Sequence, residues 1–231
     1  MLSSLYRSSI GKKILVALTG MILVGFVLGH MIGNLLVFKG PEAINEYGHM
    51  LQSAGHGILV WVARIVIFGS IGLHVILTVQ LTKANRAARE VAYGKQHTQV
   101  ASLSSRTMIM SGLTILSFFI YHILHFTVHA FNTYGDPGKY SYDLHGEIVH
   151  NVYKMVIDGF SWLPASAFYI IAMGLLCSHL SHGVSSMFQT LGLSTEKTRP
   201  MFEKIGKAYA ALILIGNCSI PIAIYFFGYG K

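Results

Sequence analysis

Residues 106–131 read RTMIMSGLTILSFFIYHILHFTVHAF, and after Arg106 the stretch holds no charged side chain. A helical membrane span needs about 20 mainly apolar residues, and this stretch supplies them. It also carries His122, His125 and His129 among aromatic and aliphatic neighbours. Burying an imidazole without a partner costs free energy, so three in one apolar run require an explanation.

Four further runs have the same character. Spans are predicted over residues 13–38, 58–82, 106–131, 161–187 and 207–228. The fold class that follows is all-α and integral to a membrane: five transmembrane helices in one bundle, a single domain over residues 1–231. Composition agrees. Of the 231 residues, 53% are hydrophobic and only 11% charged, against about 25% charged in an ordinary soluble domain. The net charge of +8 does not point to nucleic acid, because the basic residues cluster in short loops between apolar runs. Cys177 and Cys218 both lie in spans and read as small packing residues. The first run is too long for a secretory leader and lacks a small-residue cleavage site, so it is expected to be retained. There is no repeat of 20 to 50 residues and no low-complexity tract.

Loop charge sets orientation. Arg7, Lys12 and Lys13 precede the first span. Lys83, Arg86, Arg89, Lys95 and Arg106 follow the second, and Lys197, Arg199, Lys204 and Lys207 follow the fourth. The alternate loops are acidic, with Glu42, Glu46, Asp136, Asp143, Glu147 and Asp158 outnumbering Lys39, Lys139 and Lys154. Positive residues mark the cytoplasmic side, which predicts a multi-pass protein of the cell inner (cytoplasmic) membrane, with the N-terminus inside and the C-terminus outside. The long loop 132–160 contains GDPG, a turn signal, and then an amphipathic piece over 143–157 that is expected to form a short surface helix.

Depth pairs the histidines. At 1.5 Å per residue from the cytoplasmic end, His30 lies about 25 Å and His122 about 24 Å up, while His74 and His179 each lie about 12 Å up. Four spans thus supply one histidine each, in two depth-matched couples. Neutral imidazole ligates iron well, and facing couples at two levels suit two bis-histidine haems b stacked across the bilayer. Small neighbours leave room beside a porphyrin: Gly25, Gly29 and Gly33, Ser70 and Thr78 around His74, and Gly183 after His179. The same residues would also suit plain helix packing. His122 is favoured over His125 by depth, and His179 over His182. His129 reads as interfacial. Arg64, within the second span, needs an anion: a propionate of the outer haem or a lipid headgroup.

Several stretches carry a family resemblance: TGMILVGFVLGHMIGNLLVFKGPEAINEYGHML, IGLHVILTVQLTKANRAAR, YHILHFTVH and SHLSHGVSSMFQTLGL. Together they make the chain resemble the single-chain, five-helix dihaem cytochrome b anchor subunit of succinate dehydrogenase and fumarate reductase, over nearly its whole length. The resemblance implies that His30 and His122 hold the distal haem, and His74 and His179 the proximal one. It implies flavoprotein and iron–sulfur partner subunits, dicarboxylate chemistry on the former, and a quinone, usually menaquinone, near the outer side. A higher oligomer of the complex would be compatible. Residues 3–13 and 83–106 are the expected docking stretches for the iron–sulfur subunit. Glu46, His49 and Arg64, then Tyr47 and His56, are candidates for the quinone site. The spans hold no deep glutamate, so a proton pathway built on one is not expected. Two alternatives remain: a stand-alone quinol-oxidising cytochrome b, and a histidine-relay proton transporter.

Overall fold

Ser8 opens the first helix. Its hydroxyl accepts the Gly11 N–H at 2.9 Å, satisfying one of the donors that every helix start leaves free. The computed structural model describes residue 6, residues 8–88 and residues 107–230. From Ser8 the chain runs through α1 (Ser9–Asn34), a 3-10 turn, α2 (Pro41–Ser53), a second 3-10 turn, and α3 (Ile58–Ala87). Then follow α4 (Met108–Phe126), the strands β1 (Ser141–Leu144) and β2 (Glu147–His150), α5 (Val152–Phe160), α6 (Leu163–Thr190) and α7 (Arg199–Phe227).

Five helical segments are long and apolar enough to cross a membrane, and the chain is a multi-pass membrane protein with α1, α3, α4, α6 and α7 as its spans. Its surface has the matching character. Ile65, Ile215, Phe131 and Phe227 are among the many large apolar side chains left exposed, while Ala165, Ala172 and Ala210 are buried between helices. Lipid is as apolar as leucine, so close packing rather than water exclusion draws such helices together, and small residues allow it. Gly206 of α7 shows how close: a Cβ there would lie 2.7 Å from the Ser181 carbonyl oxygen of α6. Within the bundle α1 packs on α3, α4 on α6, and α7 along α6.

Apolar runs and helices do not share boundaries. The span predicted over 106–131 ends as a helix at Phe126. The Asn132 amide donates to the His125 carbonyl at 2.9 Å, and His129 takes a left-handed backbone with φ 57°, so the apolar sequence continues as a turn. At the other extreme, the span predicted from residue 207 starts at Arg199. Pro200 suits a first turn, and Arg199 pairs with Glu203 at 3.2 Å one turn on. Charged turns of this kind extend a helix beyond the apolar band, and α3 and α6 likewise outrun their predicted ends.

One end of the bundle carries a cap that hydropathy does not reveal. The predicted surface helix over 143–157 is instead a hairpin followed by α5. His145 and Gly146 both have positive φ, 56° and 90°, the backbone of a tight two-residue hairpin turn, and Asp143 accepts the Gly146 N–H at 2.7 Å. The strands pair antiparallel, Tyr142 opposite Val149. The amphipathic α2, read from sequence as loop, lies against α5. Its Asn45 is fully buried. It accepts the Tyr153 N–H at 3.0 Å and donates to Asn151 at 3.4 Å, while Asn151 caps α5 by accepting the Lys154 N–H. Two His–carboxylate contacts add to the seam, His145 to Glu42 at 3.2 Å and His49 to Glu147 at 3.5 Å. Nearby, Tyr140 donates to Asp158 at 2.9 Å, and burial together with that carboxylate pushes the phenol up to about 12.

Candidate functional site

His30 on α1 and His122 on α4 meet inside the bundle near the capped end. Their ring centres are 5.6 Å apart and their planes nearly perpendicular, at 88°. Two metal–imidazole bonds of about 2 Å each put ring centres about 6 Å apart across one iron, so the couple has the spacing that a bis-histidine haem requires. Phe26 stacks on His30 at 5.3 Å. His30 as a residue is nevertheless exposed, and Gly25 and Gly29 beside it border space in which a Cβ would touch nothing within 4 Å. These are features that a flat aromatic macrocycle would fill.

The second couple, His74 on α3 and His179 on α6, lies nearer the N-terminal end, with the rings in electrostatic range of each other. Each is held from the helix packed beside it. The Thr19 hydroxyl of α1 lies 3.0 Å from His74 Nδ1, and the Ser111 hydroxyl of α4 lies 3.2 Å from His179 Nδ1. A hydroxyl has one hydrogen. Thr19 donates its hydrogen to the Leu15 carbonyl at 2.8 Å, and Ser111 donates to the Met108 carbonyl at 3.1 Å. With its hydrogen so placed, each oxygen is left to accept from the imidazole; Nδ1 would then carry the proton and Nε2 the lone pair, the tautomer that an Nε2-ligated metal requires. Glycine follows each hydroxyl. A Cβ at Gly20 would sit 3.5 Å from the His74 ring edge, and one at Gly112 would sit 3.4 Å from that of His179.

His122 has a different partner. The Tyr169 hydroxyl of α6 lies 3.2 Å from His122 Nδ1 and 3.2 Å from His125 Nδ1. With one hydrogen, it can accept from one imidazole and donate to the other. His122 faces His30, whereas His125 is buried among Tyr121, Phe126 and Tyr134. Of the two, His122 thus has the position of a ligand and His125 that of a hydrogen-bonded neighbour. His129 lies beyond the helix end, stacked on His150 at 5.8 Å. His182, one turn past His179, lies near Glu203 of α7.

The residues proposed for the quinone each have contacts of their own. Arg64 stacks over Trp61, 4.8 Å from the ring centre, and no carboxylate among the described residues lies within ion-pair range of it. Glu46 is exposed on α2, and His49 is engaged with Glu147. Tyr47 packs on Gly33, and His56 sits in the turn before α3 with φ 55°. The expected docking stretches fall partly outside the described residues, as do Arg7, Arg89, Lys95 and Arg106.

No group of three or more His, Cys, Asp or Glu that could hold a metal ion occurs among the described residues. Two-ligand axial couples are a different geometry. Sequence reading misses Thr19, Ser111 and Tyr169, although one signal was available: a hydroxyl–glycine pair precedes a histidine by eleven residues both at Thr19 and at Ser111. Comparison with family models, curated proteins and solved structures returns no match.

Proposed function

We propose that this chain is the dihaem cytochrome b anchor of a succinate:quinone oxidoreductase. It would pass electrons between an iron–sulfur subunit and a quinone, with menaquinone the expected type. The observation that carries the proposal is the edge-on meeting of His30 and His122 at 5.6 Å from two different spans. The second histidine couple, on two further spans, supports it.

When bound, haem supplies one-electron exchange between ferric and ferrous iron. His30 and His122 would hold one haem, His74 and His179 the other. A haem held by two protein imidazoles would suit electron transfer rather than binding of a small substrate. The hydroxyls of Thr19, Ser111 and Tyr169 orient the rings. The surrounding apolar helices exclude water, so charge stays on the intended groups. Lys12, Lys13, Lys83, Arg86, Lys197, Lys204 and Lys207 gather at the N-terminal end. By the positive-inside rule that end is cytoplasmic, and it faces the soluble subunits. The cap then lies outside, in the cell inner membrane, with the C-terminus on its side. A quinone near the cap would find Arg64 in the span, with Glu46 and His49 on α2.

The test is a reduced-minus-oxidised spectrum of the purified chain, read as haem per chain. Wild type should give two low-spin centres, His122→Ala one, and His125→Ala two. A colourless wild type supplied with haem would refute the proposal and favour a histidine-relay transporter. Two haems without copurifying flavoprotein would favour a stand-alone quinol oxidase.

A further inference from the structure

α1 and α4 repeat one pattern 92 positions apart: Thr19-Gly20 with His30 eleven residues after the threonine, and Ser111-Gly112 with His122 eleven residues after the serine. The helix packed on each then carries the other type of histidine, His74 on α3 and His179 on α6. In three dimensions the repeat is functional in form. Each hydroxyl lies within hydrogen-bond distance of Nδ1 of the histidine on the helix packed beside it, and each glycine faces the edge of that same ring. The equivalent positions at the capped end hold different residues. Tyr169 stands ten residues before His179, and Arg64 ten before His74. There the halves diverge, because Tyr169 reaches His122 whereas Arg64 stacks on Trp61.

We propose that α1–α3 and α4–α6 are two copies of one haem-holding helix pair, and that Thr19 and Ser111 are equivalent positioning residues. Together they would orient His74 and His179, the imidazoles that would hold the N-terminal-side haem, and would lower its reduction potential. The proposal rests on the dihaem reading above. Its physical basis is that an acceptor on the far nitrogen makes the ligating nitrogen more basic. A more basic ligand favours the more positively charged iron, so the ferric form gains and the potential falls. With the hydrogen of each hydroxyl donated to its own helix, the oxygen is left to accept from the ring.

The experiment compares full-length, haem-loaded wild type with Thr19→Val, Ser111→Ala, Thr19→Ser and Ser111→Thr. Redox titration and low-spin electron paramagnetic resonance are read together. The affected centre is identified as the one missing in His74→Ala. Loss of either hydroxyl should weaken haem retention at that centre about 10- to 100-fold. It should also raise the centre's midpoint by about 59 mV for each tenfold change in the ferric-to-ferrous preference. The other centre should not move. Thr19→Ser and Ser111→Thr keep the hydroxyl and should titrate as wild type. If Thr19→Val fails to accumulate, Ser111→Ala probes the same iron from its opposite side. Two haems in wild type with unmoved potentials and g-values in both hydroxyl-deleted variants would overturn the positioning role and leave the dihaem reading standing. So would a shift confined to the other centre. A colourless wild type would overturn both.

Discussion

Tyr169→Phe isolates one atom of the proposed site. The phenol oxygen lies 3.2 Å from Nδ1 of both His122 and His125, and Tyr169 is itself buried. The ring keeps its contacts with Phe118 and Phe160 at 4.9 Å each, so the change removes hydrogen bonding and little packing. A net hydrogen bond contributes about 1 kcal/mol, and a buried polar group left unpaired costs about 1–3 kcal/mol. Two imidazoles lose a partner, and the expected destabilisation is about 2–6 kcal/mol in the absence of haem. Thermal unfolding in detergent measures it. With haem bound, His122 loses the group that orients it. The His30–His122 centre should then bind haem more weakly and show altered low-spin g-values, while the His74–His179 centre stays as in wild type. Redox-titrated spectra separate the two. A Tyr169→Phe protein indistinguishable from wild type in both measurements would refute this assignment of the hydroxyl. A spectral change at the His74–His179 centre alone would do the same.

Other consequences concern the cap and the bundle. Asn45→Ala leaves the Tyr153 N–H without its acceptor and should cost about 1–3 kcal/mol, read as faster hydrogen exchange in residues 141–153 with the spans unaffected. Burial, then the neighbouring His129, lowers the His150 pKa below its usual value. The stability that His150 contributes is therefore present above pH 6.5 and is lost as pH falls through the lowered value. Limited proteolysis of the hairpin should quicken on acidification, and His150→Gln should flatten that dependence. Gly206→Leu forces a side chain against the Ser181 backbone, which should separate α7 from α6 and lower the thermal unfolding temperature in detergent.

The spans and the histidine couples are legible in sequence because both follow from length. A run of apolar residues must cross the hydrocarbon, and a rise of 1.5 Å per residue gives each histidine a depth. Boundaries are less legible. α4 stops at Phe126 because Asn132 folds back on it, a tertiary event in a run that stays apolar. α2 and the hairpin escape notice because their stability lies in one buried asparagine and a pair of positive-φ residues, not in periodicity. The hydroxyls are the hardest to read. Thr78, Thr82, Thr114 and Ser117 bond back to their own helices, as Thr19 and Ser111 also do. Only the crossing of neighbouring helices shows which two also meet a ring.

That back-bonding has a bearing on biogenesis. If the pair holds a metal, the hydroxyls that set the two rings belong to helices already packed in the metal-free chain, so the polypeptide could hold the rings in place before any cofactor arrived.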